Sequence, residues 1–199
     1  MELCGLVLLE QLLGLFILSG YYLQQTKPTM PKFRLGVSPE FLRFQDHVST
    51  ITIPSALNII AMKNLKDNLL FQVGAKFAYA MVDAYYGGAE RPYSKIGGRD
   101  EFTNIEIMMV QKLAVLAAAD LQNAWRPNFP IELEIKGLET NPNFVGVIHP
   151  ADKVAVVTID IDFDNLTGAV ALVIPIRPLD KIAQALAVNV SSYGDEECE

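Results

Sequence analysis
The chain has 199 residues, 51% of them hydrophobic and 20% charged, with a formal net charge of −7. This composition excludes a mostly disordered chain, and the length fits one domain of ordinary size. The acidic balance argues against nucleic-acid binding, which needs clustered Lys and Arg, and the two cysteines, Cys4 and Cys198, sit at opposite ends and make no disulfide framework. The charge is uneven. Residues 1–99 carry 10 basic and 7 acidic side chains, net +3, and residues 100–199 carry 6 and 16, net −10. Opposite faces are therefore expected to meet different neighbours.

From Leu3 to Leu23 the chain is apolar apart from Glu10 and a few uncharged polar residues. Its length suits a membrane span, and its Leu, Val, Ile and Phe residues favour insertion by roughly 5 kcal/mol against a penalty of about 3 for a central charge. Glu2 stands where a signal peptide would carry a basic residue. The other reading is a helix buried on several sides, with Gly5, Gly14 and Gly20 allowing close packing. Pro28 and Pro31 then break the helical segment, taken as about 2–25. Phe33, Leu35 and Val37 alternate with Arg34 and Gly36 as a strand, and a loop with a short helix runs from Pro39 to Val48. Leu57–Met62 and Leu69–Val73 are strands joined by a turn at Lys63–Asn68. A helix over Ala75–Tyr86 ends on Gly87 and Gly88.

The second half begins after Gly97-Gly98. Thr103-Asn104-Ile105-Glu106 has capping-box spacing, and the helix it opens carries Ile107, Val110, Leu113, Leu116, Leu121 and Trp125 before Pro127 and Pro130. Ile131, Leu133 and Ile135 alternate with Glu132, Glu134 and Lys136 as a half-buried strand, followed by a loop with Pro142 and Pro150. Val154–Phe163 and Ala169–Ile174 are strands about a turn at Asp164–Gly168. Pro178 opens a last helix with Ile182, Ala185 and Leu186 on its inner face.

Helix, strand, loop, hairpin and helix thus occur twice, offset by about 100 residues. The expected fold is α/β, a three-layer α/β/α sandwich of two pseudo-symmetric helix–strand–hairpin–helix repeats fused into one sheet. Repeat one is about 1–99, repeat two about 100–190, and 191–199 is an acidic tail. The counterpart of segment 2–25 is a helix carrying Lys112 and Asp120, so the symmetry favours a buried helix at the N-terminus over a membrane span.

Chemistry is sparse. His47 and His149 lie on separate segments without nearby His or Cys, and both read as surface or loop histidines. Asp160-Ile161-Asp162-Phe163-Asp164-Asn165 imitates the start of a calcium loop, but Asn165 stands where Gly is needed and Ala171 where Glu is needed. The alternation there fits a strand with Ile159, Ile161 and Phe163 inward. No phosphate-binding glycine loop, nucleophile elbow, metal set or cofactor motif is present. The loop 86–99 is a plausible partner-binding site.

Several segments resemble a known family. They are Ile53-Pro54-Ser55-Ala56-Leu57-Asn58, Met62-Lys63, Met81-Val82-Asp83-Ala84-Tyr85-Tyr86-Gly87-Gly88, Gly98-Arg99-Asp100-Glu101-Phe102-Thr103-Asn104-Ile105-Glu106 and Ala124-Trp125-Arg126-Pro127. In order and spacing they resemble the middle domain of the flagellar motor switch family FliM, with similarity clearest over 50–187. The resemblance implies a pseudo-symmetric α/β/α sandwich, shared with the CheC, CheX and FliY phosphatases of chemotaxis. It implies a place in the cytoplasmic rotor ring at the inner membrane, in the flagellar basal body. It implies binding to FliG through a Gly-Gly-x-Gly loop, here Gly87, Gly88, Glu90 and Arg91, with Glu90 in place of the third glycine. FliN, neighbouring copies and phosphorylated CheY are the further partners it implies. Neither the family's CheY-binding peptide nor its FliN-like domain has a match here, so a middle domain alone is expected, as a fragment or a reduced homologue.

The phosphatase relatives place Glu-x-x-Asn on a helix to position water against an aspartyl phosphate. Glu10, Glu40 and Glu106 are followed three residues later by Leu13, Arg43 and Met109, and only Asp120 with Asn123 keeps the spacing, with a shorter acid. A non-enzymatic interaction domain is the expectation, with a CheC-like phosphatase or a membrane-anchored homologue as alternatives.

Overall fold
Two antiparallel hairpins lie side by side at the centre of the fold. The computed structural model describes residues 33–85, 101–126, 129–163 and 166–182. Strand β1 (Phe33–Arg43) is followed by helix α1 (Phe44–Thr50), the hairpin β2 (Ser55–Met62) and β3 (Asp67–Gly74), and helix α2 (Ala75–Tyr85). Helix α3 (Asn104–Trp125), strand β4 (Leu133–Glu139), a 3-10 turn (Pro142–Phe144) and the hairpin β5 (Lys153–Phe163) and β6 (Leu166–Pro175) repeat that plan. A helix described over 176–182, α4, follows. The apolar segment 3–23, the loop 86–100 and the tail lie outside the described residues.

The sheet order is β1-β5-β6-β3-β2-β4, with every neighbouring pair antiparallel. From either edge the roles read alike: the first strand of one half, the hairpin of the other, then the mirror of both. At the centre, Leu70–Val73 pairs with 170–173, so the paired windows are themselves offset by 100 residues. Each half therefore gives its first strand to the other half's hairpin.

Both sheet faces are covered. On one face α2, α3 and α4 bury Ile60, Met62, Leu69, Phe71, Val157, Ile159, Leu172 and Ile174, with Ile182 of α4 in the same cluster. On the other face Phe44 of α1 and Val145 and Ile148 of the 142–150 segment cover Leu57, Leu70, Val154, Val156 and Val173. The α1 segment and the 142–150 segment are the pseudo-symmetric counterparts, so the symmetry holds for the outer layers as well. Burying a Leu, Ile or Val side chain contributes roughly 1.5–3 kcal/mol, and these two clusters are where that contribution is concentrated.

Four local features differ from the sequence reading, each for an identifiable reason. Strand β1 runs through Pro39 to Arg43 rather than ending at Pro39, with Pro39 opposite Val157. As β1 is an edge strand, a residue without an N–H need not break the ladder. Strand β4 carries an irregularity: Ile59 pairs with Gly137 and Ile60 with Ile135, leaving Lys136 as the extra residue. The bulge resets the alternation, so the core-facing set is Leu133, Ile135 and then Leu138. The β5–β6 turn is tighter than Asp164–Gly168, since Phe163 pairs directly with Leu166. In α3 the buried seam is Glu106, Val110, Ala114, Ala118, Leu121 and Trp125, while Leu116 is exposed. Two alanines on that seam let the helix approach the sheet, and a reading weighted by large apolar residues passes over them.

Gly168 of β6 lies directly beneath Phe77 of α2. A Cβ there would come within 2.8 Å of Phe77 Cβ and 3.2 Å of Phe77 Cα. The helix of the first half thus rests on a strand of the second with no room for a side chain. Gly168→Ala is expected to destabilise the protein by about 1–3 kcal/mol through overpacking, read as a lowered midpoint in urea unfolding; an unchanged midpoint would contradict this close approach.

Candidate functional site
The sequence-predicted partner residues Gly87, Gly88, Glu90 and Arg91 lie outside the described residues. The elements that hold both ends of their loop are described. On the entry side, α2 carries Phe77, Ala78 and Met81 into the core and ends at Tyr85, which is 55% exposed. On the exit side, Phe102 is buried and its ring meets that of Tyr79 with centroids 5.9 Å apart at 59°. The loop therefore leaves one core-anchored helix and returns beside the same helix.

The start of α3 is fixed by reciprocal bonds. The Thr103 N–H donates to Glu106 Oε2 at 2.7 Å, and the Glu106 N–H donates to Thr103 Oγ1 at 3.4 Å. This satisfies N–H groups at the helix start that would otherwise lack partners. Phe102 before the cap and Ile107 after it have the spacing of a hydrophobic staple, and both belong to the same core cluster. Glu106 is itself buried, so its carboxylate is committed to structure.

The outward side of α3 is apolar over much of its length. Ile105, Met108, Val115 and Leu116 are all exposed, interrupted by Gln111 and Lys112. The edge strand β4 beside this helix carries charge instead: Glu134 lies 2.8 Å from Lys136 and 3.5 Å from Lys63, and both lysines hold its carboxyl below the usual range.

Among the described residues the phosphatase geometry is not assembled. Asn123 is exposed but Asp120 is half-buried, and burial pushes its carboxyl up from the ordinary value. Met109 occupies the position three residues after Glu106 and is buried. Glu101 and Asn104 also have Glu-x-x-Asn spacing. Glu101 precedes the Thr103 cap, however, so the two side chains do not share a helical face. Among the described residues no group of three or more His, Cys, Asp or Glu is placed to hold a metal, and no helix is long and apolar enough to cross a membrane.

The histidines separate. His149 is exposed, and its Nδ1 accepts from the Ala151 N–H at 3.3 Å within a local turn. His47, expected at the surface, is buried in the last turn of α1 with Nε2 3.0 Å from Gln72 Oε1 on β3. The sequence reads this segment as a loop with a short helix and gives no sign that the helix packs against the sheet, as it does through Phe44. The role of His47 is to pin that helix. Asn58 is fully buried in β2; its Nδ2 donates to the Phe71 carbonyl at 3.2 Å and its Oδ1 has no partner among the described residues.

Two outcomes follow from these contacts. Thr103→Ala is expected to cost about 1 kcal/mol and to increase amide exchange in the first turn of α3; unchanged exchange there would remove the cap from the account. Burial lowers the His47 pKa below 6.5, against opposing effects of Gln72 and Glu40. The unfolded chain then binds a proton that the folded chain resists, so stability falls as pH drops below about 6.5 and levels off below the folded pKa. His47→Gln is expected to flatten that part of a stability-versus-pH curve, and an equally steep curve in the variant would rule His47 out as its source.

The family model for the flagellar motor switch protein FliM matches residues 30–190. The FliM protein of Pseudomonas aeruginosa is 30% identical over 160 residues, covering 80% of this chain and 49% of that protein. The chain thus spans about half the length of the curated relatives it matches. Among solved structures, the FliM middle domain of Vibrio alginolyticus superposes with a TM-score of 0.75 at 22% identity, covering 90% of this chain and 99% of that one. A chain of the FliG–FliM complex from H. pylori superposes with a TM-score of 0.69 at 17% identity, covering 79% of this chain and 84% of that one. With a six-stranded sheet of the same fold and a family match over most of its length, the chain belongs to the FliM family of flagellar motor switch proteins.

Proposed function
We propose that this chain is a non-enzymatic interaction domain of the bacterial flagellar motor switch, binding FliG through the loop of Gly87, Gly88, Glu90 and Arg91. The observation that carries this reading is the frame around the loop. Both ends are held on one rigid helix pair, by core residues of α2 on one side and by the Phe102–Tyr79 contact and the Thr103–Glu106 box on the other. A partner seated on such a loop can pass displacement into the sheet instead of losing it to hinge motion. The FliG–FliM complex from H. pylori, whose chain shares this fold, supports FliG as the partner.

The exposed apolar side of α3 suits a neighbouring copy in the rotor ring, and the +3 and −10 halves suit side-by-side association that weakens as salt rises. FliN and phosphorylated CheY complete the set of partners, at the cytoplasmic face of the inner membrane. The absence of a helical Glu-x-x-Asn face among the described residues disfavours the CheC-like reading. So does the use of Glu106 as a cap.

The experiment is a quantitative pull-down with FliG, with FliN and phospho-CheY in parallel. Gly88→Trp is expected to weaken FliG binding about tenfold or more, the effect of losing an interface anchor, while leaving the thermal midpoint unchanged. FliG binding equal to that of the parent chain would refute the loop assignment.

A further inference from the structure
Three of the five ladders in the sheet join the two halves: β1 with β5, β2 with β4, and β3 with β6. Only the two hairpins close within a half. The bonds outside the ladders follow the same division. The first amides of α1, on Phe44 and Gln45, donate to the carbonyls of Asp152 and Pro150 at 2.9 and 3.0 Å. Asn64 in the first hairpin donates from Nδ2 to the Pro130 carbonyl and accepts the Glu132 N–H on Oδ1, both at 2.8 Å. Each apolar cluster also draws on both halves. The described part of neither half encloses a core of its own, and an isolated hairpin is marginal in water.

We propose that the surface joining the halves is a recognition surface that a second copy of this chain can supply: residues 101–182 of one molecule replace those of another, giving a half-swapped dimer with two complete sheets. The described ladder pairs between the halves join residues 33–73 to residues 133–173, so each of them is indifferent to whether its two sides share a chain. Residues 101–182 carry 6 basic and 11 acidic side chains, net −5, and residues 33–85 carry 5 and 4, net +1, which disfavours pairing the second half with itself. With the native connection the linked half is present at an effective concentration in the millimolar range, so the single-chain form dominates at micromolar protein. The swapped form takes over when the connection cannot turn back. The inference stands apart from the switch role, since it concerns only how the sheet closes.

Two variants of the full chain test it. In the first, a site-specific protease sequence is placed within residues 86–100 and cut in the folded protein. The halves are expected to co-elute at the mass of the uncut chain. When mass-labelled and unlabelled cut preparations are mixed, denatured and refolded, they are expected to yield mixed pairs. Halves that separate in native buffer, or that refold without mixed pairs, overturn the proposal. In the second, residues 86–100 are replaced by repeats of Glu-Ala-Ala-Ala-Lys, a semi-rigid helix that carries the second half away from the first. A species of twice the chain mass with the parent circular dichroism is expected, and a folded monomer overturns the proposal. If this second variant fails to fold, the cutting experiment decides alone.

Discussion

The exchange of first strands between the halves is the constraint on which the rest of the structure depends. Had each half kept its own first strand, two three-stranded sheets would each need a covered face and a protected edge. With β1 placed against β5 and β4 against β2, the two hairpins meet at β3 and β6 and share one six-stranded sheet. A single pair of cores then suffices, one per face, and each is wide enough to hold large side chains with essentially no exposure, such as Leu57, Ile60, Leu70 and Ile174. The same exchange places α1 over the start of β5 and leaves its first amides to carbonyls of the other half, so a seven-residue helix without a side-chain cap is still satisfied at its start.

The anchors at the two ends of the candidate loop depend on this arrangement. The loop between the halves departs from α2, and α2 is seated on β6 so closely that only glycine fits at position 168. It re-enters through Phe102 and the Thr103–Glu106 box at the head of a 22-residue helix. Both anchors are core packing and backbone satisfaction, interactions that resist small displacements because protein interiors have little free volume. Glu106 illustrates the division of labour. The glutamate that the capping-box spacing singles out is buried and bonded to the backbone, so its carboxylate serves the start of the helix.

Much of the fold was legible because several local signals agreed. Thr103 and Glu106 stand at capping-box spacing, and the helix begins between them. The β2–β3 and β5–β6 hairpins follow from apolar runs separated by short polar turns, and the repeat of the whole plan at 100 residues gave the layered architecture. What was not legible depended on partners distant in sequence. Pro39 ends a strand by local rules, but at a sheet edge the ladder passes it. Lys136 continues a period of two until β2 imposes a bulge. Ala114 and Ala118 carry little hydrophobic signal, yet they form the seam of α3. His47 looks solvated until Gln72, on another strand, arrives beside it. For the loop between the halves the sequence supplies residue types, and the structure supplies the anchors at its two ends.

The ladder between β3 and β6 is short, four pairs against eleven between β1 and β5 and ten between β5 and β6. Its mechanical consequence is directional. A pull along the strands loads all the bonds of a ladder together, and the longer outer ladders share that load, so the sheet is stiff in shear. A pull that opens the sheet at its middle meets the bonds in succession and has the fewest to break at this seam. A load passed between the halves therefore meets more resistance when it runs along the strands than when it peels β3 from β6.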